Sequence, residues 1–273
     1  MSKPYTLNEL LIITIAKEIH DFENVVLGVG IPMTSGALAK ALFAPHATLM
    51  MESGIIDFEP TMPLNHVADC LSCRGFSFAT DLFSTFTMTY RGFVDLCFLG
   101  VAQVDKFGNL NTTVIGDYYA PKMRLPGSGG AADFISYAKK TILTMRSGEF
   151  VEKLSYRTSP GYMEGGDSRD ESEHFPQGTG PSKLISTQGV FEFDPETKEI
   201  YLTKVHPKIS VSDVKKKVPW DLKVSPDLLE TERPTDEEID FIRRFAPTET
   251  VGKDIWTELA IANVEKLIKK KLF

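Results

Sequence analysis

Of 273 residues only three are cysteine, Cys70, Cys73 and Cys97. So small and odd a number excludes a disulfide framework and suits a reducing compartment, so the cytoplasm is the expected location. No apolar run approaches the roughly 18 uncharged residues of a membrane span, so no membrane association is expected. The N-terminal stretch MSKPYTLNELL lacks the basic, apolar and small-residue regions of a secretory signal, and none is predicted. Positive charge is in deficit: 30 Lys and Arg stand against 37 Asp and Glu, a formal net charge of -7, and KKK at 269–271 is locally basic. Nucleic acid is thereby excluded as the main partner, because phosphate binding needs a basic face. The five histidines, at 20, 46, 66, 174 and 206, form neither an H-x-x-x-H pair nor a partner to a serine elbow. Cys70-x-x-Cys73 has no second ligand pair, so the cysteines read as structural and no metal site is expected. Internal repeats are also missing.

What is present is an α/β pattern. Leu7, Leu10, Leu11, Ile15 and Ile19 recur at helical spacing over 6–20. VVLGVG (25–30), the helix SGALAKALFA (35–44) and the strand ATLMME (47–52) compose a β-α-β unit. VDLCFLGVAQVD (94–105) and TILTM (141–145) are apolar without alternation, as expected of parallel strands covered on both faces. KLISTQGVFEFD (183–194) and EIYLTKVHP (199–207), broken by Gln188-Gly189 and by Pro195 to Lys198, read as antiparallel hairpins at one end of the sheet. PTDEEIDFIRR (234–244) opens with Thr235 and acids and closes on arginines, so a helix is predicted there. The fold class is therefore α/β, an open and mostly parallel sheet flanked by helices, in a single domain over 1–273. Residues 160–182, rich in Gly, Pro and charge, are the candidate surface loop or lid, and the tail EKLIKKKLF reads as a helical end.

Two stretches carry candidate chemistry. In LMMESGIIDF (49–58) the carboxylate of Glu52 follows an apolar strand directly, where open α/β sheets bind ligands beyond their strand ends. Ser53 and Gly54 turn the chain and leave room for a substrate. Such a carboxylate serves as base, metal ligand or nucleophile, or structurally as a lysine's partner or a helix cap. GSGG (127–130), ahead of a helix near Ala131, offers successive unobstructed N–H groups for a phosphate or an oxyanion. GVGIP (28–32) lacks the last glycine of a dinucleotide fingerprint, so no nicotinamide cofactor is read.

In order along the chain, MESGIIDFEP, VAQVDKFGNLNTTVIGDYYAPKMRLPGSGGAADF, RTSPGYMEGG, GPSKLISTQGVFEFD and HPKISVSDVKKK resemble the β subunits of class I CoA-transferases, most of all the glutaconate CoA-transferases. The resemblance covers about residues 7 to 250. It implies the CoA-transferase/NagB-like sheet and a ping-pong transfer of CoA from an acyl-CoA to a carboxylic acid, of the glutaconate-like dicarboxylate type, through a glutamyl-CoA thioester on Glu52. It further implies acyl-CoA and oxyanion contacts from Gly127, Gly129, Gly130 and Gln103, and a substrate pocket shaped by Ser53, Gly54 and Asn109. No tightly bound cofactor is implied, since the coenzyme A thioester is both substrate and covalent intermediate. The implied partner is an α subunit, forming a heterodimer that assembles into a heterotetramer or octamer. Residues 253–273 extend beyond the family's usual end, and the asparagine that glutaconate enzymes tend to carry after GGAA is Asp133 here. Relatives that lack the glutamate include a decarboxylase and a ring-cleaving hydrolase, so retention of Glu52 favours transfer. The alternatives on this scaffold are an acyl-CoA or C–C bond hydrolase, with Glu52 as base toward water, and a sugar-phosphate sensor module. Arg74 and Arg124 are the candidates for a distal carboxylate.

Overall fold

Apolar runs without alternation need cover on both sides, and the architecture supplies it. The computed structural model describes residues 3–28, 30–172 and 174–247. Chain order begins α1 (Leu7–Ala16), β1 (Asn24–Val26), α2 (Ile31–Leu42), β2 (Thr48–Met50), β3 (Ile55–Ile56), β4 (Phe78–Ala79), α3 (Leu82–Tyr90), β5 (Leu96–Gly100), β6 (Gln103–Val104), β7 (Leu110–Asn111), β8 (Val114–Gly116), β9 (Pro121–Arg124) and α4 (Ala131–Tyr137). It continues with β10 (Lys140–Met145), β11 (Glu149–Phe150), β12 (Pro181–Ser186), β13 (Gly189–Phe193), β14 (Ile200–Val205), α5 (Val211–Lys215), β15 (Val224–Glu230) and α6 (Asp236–Phe245).

Ten strands form one sheet in the order β15-β14-β13-β12-β10-β5-β1-β2-β3-β4. Its centre, β12-β10-β5-β1-β2, is parallel throughout. Successive residues of these strands enter opposite cores. Val25, Leu49, Leu96, Phe98, Ile142 and Ile185 join α1, α2 and α6 on one face. Val26, Met50, Cys97, Leu99, Leu143 and Leu184 join Phe134 and Ile135 of α4 on the other. With both faces apolar, the period of two is invisible in the sequence. Helix α1 is enclosed almost all round, with Leu10 to Ile13, Ile15 and Ala16 buried, and its capping box joins Thr6 to Glu9. The box expected at Thr235 is also formed, with Glu238.

The hairpins predicted at one end exist as the antiparallel pairs β12-β13 and β13-β14. The opposite end carries a second antiparallel set, β2-β3-β4, which the sequence does not announce because β3 and β4 have two residues each. Helix α2 starts at Ile31 rather than at 35, since Pro32 is tolerated in a first turn whose N–H groups have no helical partners anyway.

Residues 160–182 are held rather than loose. The Arg169 side chain is fully enclosed and donates to the carbonyls of Pro160 (3.3 Å), Gly161 (2.8 Å), Ile135 (3.0 Å) and Ser136 (3.2 Å) and to Thr179 Oγ1 (3.1 Å). Phe175 lies against its guanidinium, 4.2 Å from the ring centre. Asn109 ties the start of this segment to the sheet, accepting from Gly161 N–H (2.8 Å) and donating to Met163 O (2.7 Å). The extension 253–273 lies outside the described residues. Among the described residues no helix is long and apolar enough to cross a membrane.

Candidate active site

Two α-helical crossovers leave β1 and β5 in opposite directions, α2 leading to β2 and α4 leading to β10. The strand order therefore reverses between β1 and β5, and a crevice opens beyond their carboxyl ends. That crevice is a cavity of about 670 Å³, bounded by Leu27 and Gly28, by the residues from Phe98 to Ala102, and by the loop from Pro126 to Ala131. Glu52, Gly127, Gly129 and Gly130 all line it.

Glu52 stands in a turn that β2 enters and β3 leaves. Gly54 N–H bonds to Met51 O at 3.0 Å and Met51 N–H to Ile55 O at 2.9 Å. Gly54 has φ +104°, and a Cβ there would stand 2.4 Å from the Thr80 carbonyl oxygen, so only glycine closes this turn. The carboxylate is half-buried and, among the described residues, meets no cation. Burial raises its pKa above the ordinary 4.5, and the Gly130 N–H, donating to it, offsets that in part. The nucleophile candidate and the glycine loop thus face the same cavity.

The loop is anchored at its start, where Gly127 N–H bonds to Thr112 O at 2.7 Å, and at its end, where Phe134 N–H bonds to Gly130 O at 3.0 Å. Gly129 has φ +49°. The other residues predicted for the site lie elsewhere. Gln103 is buried and accepts from Asn111 Nδ2 at 2.9 Å, away from the cavity lining. Asn109 is fully buried in the ties to Asp105, Gly161 and Met163. Ser53 and Gly54 shape the turn without lining the cavity, and the Ser53 hydroxyl is buried without a partner. Arg124 donates to Tyr118 O and stacks on that ring, and neither it nor Arg74 lines the cavity. Cys97 is a core residue, its thiol pushed up to about 12 by burial, while Cys70 and Cys73 are exposed rather than structural. Among the described residues no three metal-ligating side chains cluster.

Two residues lining the cavity escape a reading by motif. The Thr112 hydroxyl is buried there without a partner. Arg146 follows the apolar run TILTM as Glu52 follows ATLMM, and that parallel was the available signal.

A family model for the coenzyme A transferases matches residues 8–217. The chain belongs to the coenzyme A transferase family. It is 34% identical over 249 residues to one subunit of a 3-oxoadipate CoA-transferase from Pseudomonas knackmussii, covering 88% of this chain and 92% of that one. It is also 34% identical over 245 residues to one subunit of a glutaconate CoA-transferase from Acidaminococcus fermentans, covering 88% and 91%. The crystal structure of glutaconate coenzyme A-transferase from the same organism superposes with a TM-score of 0.81 at 32% identity, over 90% of this chain and 96% of the other.

Proposed function

We propose that this chain is the subunit of a heteromeric CoA-transferase that carries the covalent nucleophile, Glu52, and moves CoA between carboxylic acids of dicarboxylate type. The observation that carries the reading is the position of the Glu52 carboxylate: half out of water, without a cation, and touching the Gly130 amide. A poorly hydrated carboxylate is the more nucleophilic for it.

In the first half-reaction a Glu52 oxygen attacks the thioester carbonyl, the C–S bond breaks and CoA thiolate leaves a mixed anhydride. The thiolate then attacks the Glu52 carbonyl and expels the donor acid as its carboxylate, leaving a Glu52–CoA thioester. The acceptor carboxylate reverses these steps and restores Glu52. Negative charge builds on the carbonyl oxygen at each addition, and the amides of Gly129 and Gly130 are the donors at hand, each worth about 3 kcal/mol where it is aimed at the oxyanion.

The reading of the partner as an α subunit draws on the relatives, each named as one of an enzyme's subunits, and on an apolar face. Phe78, Leu82, Phe83, Tyr90 and Phe93, on and around α3, are exposed, more than a lone globular domain usually leaves in one place. Heterodimers of this kind pairing into tetramers or octamers would bury that face. Unpaired, exposed Cys70 and Cys73 suit the reducing cytoplasm.

The test is trapping. The complex of this chain with its partner is incubated with acyl-CoA, quenched and digested, and the mass of CoA is sought on the peptide bearing Glu52. The adduct is expected before acceptor is added and should vanish after. Turnover without an adduct, with water as the acceptor, would assign the chain to thioester hydrolysis instead.

A further inference from the structure

Among the described residues that line the cavity, most of them apolar or glycine, two are charged, Glu52 and Arg146. Arg146 is the residue after β10, a central strand between β5 and β12, so it projects from the same carboxyl-end edge of the sheet as Glu52. Its own carbonyl is fixed by Thr187 Oγ1 at 3.3 Å, while no acid among the described residues pairs with its guanidinium. In a chain with formal net charge -7, a cation without an acid among the described residues thus stands at the reaction cavity.

We propose that Arg146 sets acid specificity, its guanidinium receiving the second, non-reacting carboxylate of a dicarboxylic substrate while the first reacts at Glu52. This rests on the functional reading above. Once Glu52 carries CoA as a thioester it is neutral, and Arg146 is then the one charged residue among the described ones that line the cavity. A dicarboxylate entering a largely apolar cavity has to place its distal anion somewhere, and leaving it unpaired is costly. A planar guanidinium takes a carboxylate through two parallel N–H donors, which fixes the direction of the chain between the two acids. CoA phosphates are the competing anions, but the whole pantetheine arm separates them from the sulfur, whereas Arg146 and Glu52 share one cavity of about 670 Å³.

The measurement uses the assembled enzyme with saturating acetyl-CoA as donor and pairs of acceptors of equal chain length: succinate, glutarate and adipate against butyrate, valerate and hexanoate. In Arg146→Gln, kcat/KM for the best dicarboxylate should fall roughly 10- to 100-fold, mainly through KM, the size expected for a lost charge-assisted bond. The matching monocarboxylate and the KM of acetyl-CoA should each change by less than about threefold. Arg146→Lys, which keeps the charge and loses the fork, should recover part of the discrimination. Equal losses for both classes of acid, a raised KM for acetyl-CoA, or no change in the variant would each overturn the assignment, the second by pointing to the CoA phosphates. A wild-type complex that prefers monocarboxylates also overturns it. A complex that hydrolyses acetyl-CoA and transfers to no acid overturns the functional reading itself, and this inference with it.

Discussion

The two ends of α4 each meet a buried charge, and they treat it in opposite ways. At the amino end Glu52 receives one backbone N–H and no cation. At the carboxyl end Arg169 is wrapped by five acceptors, among them the last-turn carbonyls of Ile135 and Ser136, and stacked on Phe175. Both terminal nitrogens of Arg169 donate to groups that cannot react, with Nε alone left buried and unpartnered, so the side chain binds the 160–182 segment to the helix. Glu52 is left short of partners, which costs stability and leaves reactivity. The contrast predicts which substitution damages which property.

The largest effect should follow from Glu52→Gln. Transfer should fall roughly 10⁴-fold or more, since no other carboxylate among the described residues lines the cavity to replace it. Stability should not fall with it. Because burial raises the Glu52 pKa, its charged form at neutral pH burdens the folded state, and a neutral amide relieves that burden. A melting temperature equal to or above that of the wild type, beside lost activity, is expected; a clear drop would show that Glu52 helps to hold the fold.

Arg169→Met should invert the pattern. It removes the donor to the buried carbonyls of Ile135, Ser136 and Gly161, and the expected loss is about 3 kcal/mol in denaturant unfolding. Activity per folded molecule should change much less than in Glu52→Gln. Gly130→Ala lies between the two. The added Cβ would come 2.6 Å from a Phe134 ring carbon and 2.8 Å from Phe86, so the loop or these rings have to shift. A drop in kcat of about 10²-fold is expected, as for removal of one oxyanion donor, with a stability loss of about 1–2 kcal/mol from overpacking. Unchanged kcat in this variant would remove Gly130 from the oxyanion role and leave it as a partner of Glu52 alone.

This contrast explains what the sequence could reveal. Glu52 and GSGG were legible because each departs from its surroundings: a charge at the end of an apolar strand, and glycines where a helix begins. The central strands were legible as apolar runs, and the start of α6 as Thr235 followed by acids, whereas the box from Thr6 to Glu9 emerged only with the structure. Arg169 was hidden inside a stretch of charge and glycine that reads as solvent-exposed, because nothing local tells that its acceptors come from Ile135 and Ser136, more than thirty residues earlier. Gln103 and Asn109 stand in a motif that resembles a site, and their side chains bond Asn111, Asp105, Gly161 and Met163, ties that no local pattern announces. The strands β3 and β4 are too short to leave any period, and the turn at Gly54 joins β2 to β3.

The smallest effect, and the one that separates the two helix ends most cleanly, is in pH. Transfer needs Glu52 ionised, so kcat/KM should fall as pH drops through a raised carboxyl pKa, with a midpoint above the ordinary 4.5. Burial lowers Arg169 to about 10, so the carboxyl end of α4 keeps its charge throughout the range in which Glu52 titrates. A single acidic limb in activity is expected, and a profile flat down to 4.5 would deny that burial tunes the nucleophile. Stability has a separate acidic limb of its own. His206 is buried and neutral, its Nε2–H donating to Ser186 O at 2.7 Å and its Nδ1 accepting from Thr231 Oγ1 at 2.8 Å, and its pKa is pushed below 6.5. A base with a lowered folded pKa is protonated more readily in the unfolded chain, so stability is full above 6.5 and declines as pH falls below it. His206→Gln should flatten that decline while leaving the activity limb where it was, because the two groups lie at different ends of the sheet's chemistry: one braces β12 against the residues after β15, the other waits for a thioester.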